Sequence, residues 1–226
     1  SVGRSPDQFD LAKAAKEAAD RATRLLGAVK PSSKRVTVVL DPYVTAMFLG
    51  VISSTLNGEA VAKGRSLFKD RLGDVVANPM VTLVDDPTNT LAYTATVLID
   101  AGVLQQFVHN SYSARRAGAR STGNAVRGGF KGTPGVGCLA LQLQPGTRDQ
   151  SALVADVADG VLVTSVQGLH SGVNSISGGF SVGASGLLIT NGVVGAPIRE
   201  FTIASTLQRM LLDVVEIICA ALDDLD

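Results

Sequence analysis

Residues 168–200 read GLHSGVNSISGGFSVGASGLLITNGVVGAPIRE, and this stretch decides the fold. Eight of its 33 residues are glycine. Between the glycines stand apolar residues that favour strands, namely Phe180, Val182, Leu187, Leu188, Ile189, Val193 and Val194. A flexible Gly/Ser linker lacks such interleaving. The pattern therefore predicts a wall of strands along one side of a groove, in which glycine permits tight turns or the close approach of another chain or ligand.

The composition of the whole chain indicates a folded protein with an aliphatic core. Of its 226 residues 46% are hydrophobic and 18% charged, which excludes bulk disorder. Twenty basic and twenty acidic residues cancel, so the net charge favours neither nucleic acid nor membrane as a partner. No apolar run reaches the length of a membrane span, and no signal-peptide pattern opens the chain, so we expect a cytoplasmic protein. Cys138 and Cys219 are expected to be free thiols.

Periodicity and turn residues predict a mixture of helices and strands. Helices are predicted over residues 11–26 (after the N-cap Asp10), 43–56, 151–158 and 206–222. Strands are predicted over 35–40, 81–84, 95–99, 103–108, 137–144, 161–166, 187–190 and 193–194, with hairpin turns at Gly102 and at Asn191-Gly192. Residues 111–136 show little regular signal. The expected fold is α+β, with antiparallel sheets and interspersed helices, in which residues 1–34 form a helix and linker and 35–226 the main domain.

Motifs for metal or nucleophilic chemistry are missing from the sequence. The two histidines, His109 and His170, belong to no H-E-x-x-H pattern, and no C-x-x-C occurs, so we expect no metal and no cofactor. The segment Gly183-Ala184-Ser185-Gly186 is nearest to a nucleophile elbow but lies within a predicted strand, which disfavours serine hydrolysis.

One segment concentrates positive charge. Between Ser111 and Arg148 there is no acidic residue but six basic ones, Arg115, Arg116, Arg120, Arg127, Lys131 and Arg148. Such a segment can meet nucleic-acid phosphates or the carboxylates of a peptide. Only Tyr112 and Phe130 accompany it, which is poor support for base stacking. A solvated basic loop or a partner interface is therefore favoured over a nucleic-acid site.

Three segments, in order along the chain, resemble the C-terminal domain of the TldD/PmbA (TldE) family, once called modulators of DNA gyrase. Val97 to Asn124 is similar to the family's hairpin followed by Ser-Ala-Arg and Ser-Thr-Gly-Asn elements, Gly168 to Gly192 to its glycine-rich run, and Pro197 to Leu207 to its Pro-Val-x-Glu-x-Thr-Ile-Ala stretch. The resemblance runs from Arg35 onward and implies that the family's N-terminal α/β domain is absent from this chain. The family's Gly-Asp-Phe-Ser stands here with Gly179 in place of the Asp.

The resemblance also implies which branch of the family the chain is similar to. TldD-type chains carry H-E-x-x-x-H on a helix, where it binds zinc and activates water. When the chains are aligned on Leu56-x-Gly58 and Lys63-Gly64, that motif falls on residues 49–54. Leu49 and Ser54 then stand in place of the two His, and Gly50 in place of the Glu. This pattern resembles the zinc-free PmbA/TldE branch, whose members pair with a zinc-bearing TldD-type subunit in a heterodimeric peptidase that cleaves extended or unfolded peptides.

These implications define the expected function and its rivals. The chain is expected to be a metal-free, non-catalytic subunit that binds an extended peptide by strand addition for cleavage by its partner. The residues expected to contact the peptide are Gly168, His170, Asn174, Gly178, Phe180 and Ser181, on a wall running from Gly168 to Ser185, with the basic loop favouring acidic segments. The alternatives are an autonomous nucleic-acid-binding or gyrase-linked modulator, or an enzyme whose chemistry has moved to His170, Ser181 or Asn174. A homodimer is also expected if the subunit lacks its partner.

Overall fold

The computed structural model describes residues 10–87 and 94–219, and the elements below belong to these ranges. Its helices are α1 (Leu11–Thr23), α2 (Pro42–Thr55), α3 (Gly58–Ala62), α4 (Ser111–Ala117), α5 (Gln150–Ala155), α6 (Leu169–Gly172) and α7 (Leu207–Leu212). Its strands are β1 (Thr37–Leu40), β2 (Leu83–Asp85), β3 (Thr96–Asp100), β4 (Val103–Leu104), β5 (Ala125–Val126), β6 (Gly135–Val136), β7 (Leu141–Leu143), β8 (Asp159–Gln167), β9 (Gly179–Thr190) and β10 (Val193–Thr206). The α+β prediction is confirmed. No helix in the described ranges is both long and apolar enough to cross a membrane.

The glycine-rich stretch forms most of a four-stranded sheet with the order β1-β8-β9-β10. Strands β8, β9 and β10 are antiparallel neighbours, and β1 joins β8 in parallel. The turn between β9 and β10 has Asn191 at φ 50° and Gly192 at φ 76°, the left-handed geometry that tight hairpins require. The predicted hairpin is therefore confirmed, although its strands extend well beyond residues 187–194.

A second sheet has the order β4-β3-β2-β7 and is antiparallel throughout. Its β3–β4 turn passes through Ala101 and Gly102, both at positive φ. The Gly102 Cα lies against the backbone of Ala77, where a Cβ would collide with the carbonyl oxygen. This hairpin was predicted at the same turn residue.

Helices α2 and α7 join the two sheets through the core. On α2, Val44 and Phe48 pack with the first sheet, whereas Ile52 and Leu56 just beyond pack with the second. On α7, Leu207 joins the first cluster and Leu211 the second. A mostly apolar helix is expected at such a position, because it is covered on more than one side.

The first helix is correctly predicted at its start, where the Asp10 carboxylate accepts a hydrogen bond from the Lys13 N–H at 2.8 Å. It ends at Thr23, earlier than predicted, and buries none of its residues. Beyond it, Val29 forms a parallel bridge to Ile198 of β10. Residues 1–9 of the predicted N-terminal segment lie outside the described ranges.

The prediction of a C-terminal helix over 206–222 is wrong for residues 213–219, because the helix ends at Leu212. The chain there runs extended beside residues 146–148, with the Gly146 N–H donating to Ile218 O at 2.9 Å and the Cys219 N–H to Arg148 O at 2.7 Å. Val215, which a helix there would have packed against the core, is accordingly 76% exposed. Residues 220–222 of the predicted helix lie outside the described residues.

The interpretation of residues 111–136 as irregular is also wrong. Ser111–Ala117 is a helix, capped by the Asn110 side chain at its start and ended by Gly118 in the left-handed conformation. Strands β5 and β6 then pair as a short ribbon. The helix has no apolar stripe, so only its caps could have revealed it.

Candidate functional site

An open groove of about 680 Å³ lies at the ends of β9 and β10 that are far from their connecting turn. It is lined by Ser171, Gly172, Val173, Asn174, Ser175, Ile176, Gly179, Phe180, Ser181 and Ser205. Every one of these residues is uncharged, and seven of the ten are Ser, Gly or Asn. Such a lining suits an uncharged backbone better than a charged side chain.

Hydrogen bonds fix the loop between α6 and β9 that forms one wall of the groove. The Asn174 side-chain oxygen accepts from the N–H groups of Ile176 at 2.9 Å and Ser177 at 3.0 Å, which closes an Asx turn. The Asn174 N–H donates to Gly179 O at 2.9 Å, and the Gly178 N–H donates to Asn174 O at 2.7 Å. Ser175 O in turn accepts from the Leu67 N–H at 2.9 Å, which ties the loop to the segment after α3.

Two glycines of this wall allow contacts that a side chain would block. Gly178 has φ +78°, and a Cβ on it would collide with the Gln208 amide, whose nitrogen donates to Ser177 O at 3.0 Å. A Cβ on Gly172 would collide with the Ser181 carbonyl oxygen. The helix α6 can therefore lie directly on β9.

The floor of the groove is Phe180, which is 8% exposed. Its ring meets the Phe48 ring edge-on, with 5.3 Å between centroids and an interplanar angle of 63°. Because Phe48 belongs to α2, this contact connects the groove to the helix on which the resemblance places the zinc motif of TldD-type chains.

Strand β10 is at the edge of its sheet, beside the groove. The Leu207 N–H donates to Gly178 O at 2.8 Å and so points toward β9. Successive N–H groups of a strand point to opposite sides, so those of Thr202 and Ala204 point to the outer side of β10. Within the described residues the only bridge on that side is the one from Val29 to Ile198. The outer edge from residue 201 to 206 is therefore open for pairing.

The positions aligned with the zinc motif lie on α2 and offer no ligand. Leu49 packs against the core, Gly50 is exposed, and the Ser54 hydroxyl donates to Val51 O at 2.6 Å. The nearby Cys138 thiol bonds to Ser53, and burial raises the pKa of this thiol to about 11, so it stays protonated at neutral pH. In the described part of the chain, no three His, Cys, Asp or Glu side chains gather as a metal site.

The structure brings together some of the residues predicted to bind a peptide. Asn174, Phe180 and Ser181 line the groove, and Gly178 shapes its wall. Gly168 instead precedes α6 with φ +82°, and His170 is an exposed residue of α6 outside the lining. The sequence did not point to Ser205, which the hairpin register places opposite Phe180. The role of all these residues in binding stays a prediction.

Gly179, at the position where the resemblance leads us to expect Asp, borders the groove. A Cβ there would find Ser177 Oγ at 3.5 Å, an ordinary contact, and its φ is not left-handed. The fold therefore does not require glycine here, and its effect is to keep the groove uncharged.

His109 lies apart from the groove in a buried polar network. Its Nδ1 is 3.1 Å from the Ser113 hydroxyl, and its ring packs directly on Gly58. Its carbonyl oxygen accepts from the N–H groups of Thr122 at 3.1 Å and Asn124 at 3.3 Å. Asn124 Nδ2 donates to the buried Asp85 carboxylate at 2.5 Å, so the network joins α4 to the second sheet.

We expect acid to weaken the fold through His109. Burial lowers the pKa of His109 below its ordinary 6.5, so the unfolded chain takes up the proton at higher pH than the folded chain. The free energy of unfolding should fall as pH drops through 6.5 and level off below the folded pKa. Urea unfolding from about pH 8 to about pH 5 measures this. His109→Gln should flatten the dependence, whereas the exposed His170→Gln should not, and an unchanged slope in His109→Gln would contradict the assignment.

Comparison with known proteins identifies the fold. Residues 33–220 match the family described as the PmbA/TldA metallopeptidase C-terminal domain. The chain belongs to this family. A metalloprotease of Methanothermobacter thermautotrophicus is 27% identical over 92% of this chain and 48% of its own length. Metalloprotease PmbA of Escherichia coli O157:H7 is 27% identical over 88% of this chain and 45% of its own.

Solved structures of related proteins share the architecture. TldE of Thermococcus kodakarensis has a TM-score of 0.83 at 25% identity, covering 93% of this chain and 50% of that one. A Thermotoga maritima protein described as a modulator of a DNA gyrase has a TM-score of 0.87 at 28% identity, covering 96% and 52%. The chain thus spans about half the length of the relatives it matches.

Proposed function

We propose that this PmbA/TldD-family chain is a TldE-type, metal-free peptide-binding subunit of a cytoplasmic peptidase whose zinc belongs to a TldD-type partner. The observation that carries the proposal is an open β10 edge and an uncharged groove beside an α2 without metal ligands. This arrangement supports a subunit that holds the peptide while its partner activates water.

The proposed binding mode is strand addition on the outer side of β10. An extended peptide would bond to the outward N–H groups of Thr202 and Ala204 and reach the groove at Ser205. Backbone pairing depends little on the side chains of the peptide. The uncharged lining of the groove adds no requirement for a charged side chain. We therefore propose extended or unfolded peptides of mixed sequence as the ligand class.

The proposed function is tested by reconstitution. The purified chain is mixed with a TldD-type subunit that carries H-E-x-x-x-H, and cleavage of an internally quenched, unstructured peptide is followed by fluorescence. We expect the mixture to cleave faster than the partner alone and the chain alone to be inactive. Equal rates with and without the chain would refute the subunit role. Cleavage by the chain alone would instead favour relocated chemistry, for which His170→Ala and Ser181→Ala are the first variants.

A further inference from the structure

A second surface of the molecule is strongly positive and shares no residue with the groove. It consists of the exposed side chains of Arg115, Arg116, Arg120, Arg127 and Lys131, and is called the basic surface below. In the described ranges none of the five forms an ion pair. Arg116 is attracted electrostatically to Glu59, but Glu59 already forms an ion pair with Lys63. Among the described residues, therefore, no ion pair compensates the positive charge of this surface, although the net charge of the chain is zero.

The fold holds the two parts of the basic surface on one support. Asn110 caps α4 by accepting from the Ser113 N–H at 2.8 Å, and its Nδ2 donates to Gly135 O at 3.2 Å in β6. The arginines of α4 and the loop between β5 and β6, which carries Lys131, are thus anchored at the same buried residue. Because Asn110 is 7% exposed, the support is part of the folded interior.

The basic surface has only two aromatic residues, Tyr112 and Phe130, and each has a cation near its ring. Arg116 lies over the Tyr112 ring at 5.7 Å from its centroid, and Lys131 over the Phe130 ring at 5.4 Å. Proteins that hold single-stranded nucleic acid use exposed ring faces to stack bases, and nucleic-acid-binding domains are commonly basic overall. This chain has a pI near 6.7. Carboxylates, which need only guanidinium forks, fit these features better.

We propose that the basic surface binds an acidic, extended segment of a partner protein. Four of its five cations are arginines, which pair with carboxylates through two parallel hydrogen bonds. The loop between β5 and β6 contains Gly128 and Gly129, around which a side chain would meet open space, so it has room to accommodate a docked segment. The proposal does not depend on the peptidase role, since it uses none of the groove residues.

Fluorescence anisotropy with three labelled probes tests this proposal: poly-glutamate, poly-lysine and oligo-dT of similar length. We expect the chain to bind poly-glutamate, more weakly as salt increases, and to bind poly-lysine and oligo-dT less well. The triple variant Arg115→Gln/Arg116→Gln/Arg120→Gln should lose about tenfold in affinity, the effect of removing three exposed ion pairs. The matched control Arg24→Gln/Lys30→Gln/Arg35→Gln removes the same charge from exposed positions elsewhere and should bind as the parent does.

Three results would overturn the proposal. One is the absence of poly-glutamate binding. The second is an equal loss in both triple variants, which would show a response to net charge alone. The third is tighter binding of oligo-dT than of poly-glutamate, which would make this a nucleic-acid surface. Thermal unfolding followed by circular dichroism checks that the variants are folded, as expected for exposed positions.

Discussion

Replacing Ala204 by proline is expected to abolish most peptide binding while leaving the chain folded. The N–H of Ala204 points away from β9, so its loss breaks no bond of the sheet. The proline ring would instead occupy the outer side of β10, where we propose that a peptide pairs. We expect a loss of about tenfold or more in affinity, from one missing hydrogen bond and the obstruction beside it. Anisotropy of a labelled unstructured peptide measures binding to the chain alone.

The matched control is Ala204→Ser, which keeps the N–H and adds a small side chain at an exposed position. It should bind as the parent does, and urea unfolding should show similar stability for both variants. Full binding by Ala204→Pro would contradict strand addition at this edge. An equal loss in Ala204→Ser would assign binding to the face of the strand rather than to its backbone. Either result leaves the test of the basic surface unaffected, because that surface lies on other elements.

The fold was largely predictable where local rules and burial agree. Asn191-Gly192 predicted a hairpin, because positive φ at two successive positions is costly for most other residues. Helix α2 was predicted from a mostly apolar segment, and its burial against both sheets agrees with that composition. The helix prediction over 206–222 failed because β-branched residues such as Val214, Val215 and Ile218 also favour an extended segment, and pairing with residues 146–148 decided between the two. Tertiary hydrogen bonds of this kind leave no local signal.

The candidate site was predictable only in part, for a related reason. The glycine pattern placed the groove wall near residues 168–185, and Asn174, Phe180 and Ser181 do line the groove. His170 falls outside the lining, as an exposed residue of the short helix α6, which the sequence did not predict. The free edge of β10 depends on strand order, which composition and spacing do not reveal. The site is thus set by topology more than by any motif.

Phe180→Ala is expected to lower the free energy of unfolding by about 3–5 kcal/mol, the range for truncating a buried aromatic residue. The ring is 8% exposed and packs with Phe48, Val44 and Leu207 in the core of the first sheet. Removing the ring loses the free energy gained by transferring it out of water. It also loses the edge-on contact with Phe48, at 5.3 Å between ring centroids. Urea unfolding at neutral pH measures the change. The control is Phe130→Ala, since Phe130 is 85% exposed and its loss should cost less than about 0.5 kcal/mol.

A large loss of stability in Phe180→Ala would show that the floor of the groove is part of the core. Since domains of this kind are typically stable by about 5–15 kcal/mol, Phe180→Ala removes a large share of that stability. Phe180→Leu, which keeps most of the apolar volume, should lose less and stay folded, so peptide binding can be compared with the parent. If Phe180→Leu keeps its fold but loses peptide affinity, the ring itself supports the groove. A loss in Phe180→Ala no greater than in Phe130→Ala would show that the floor of the groove is not part of the core.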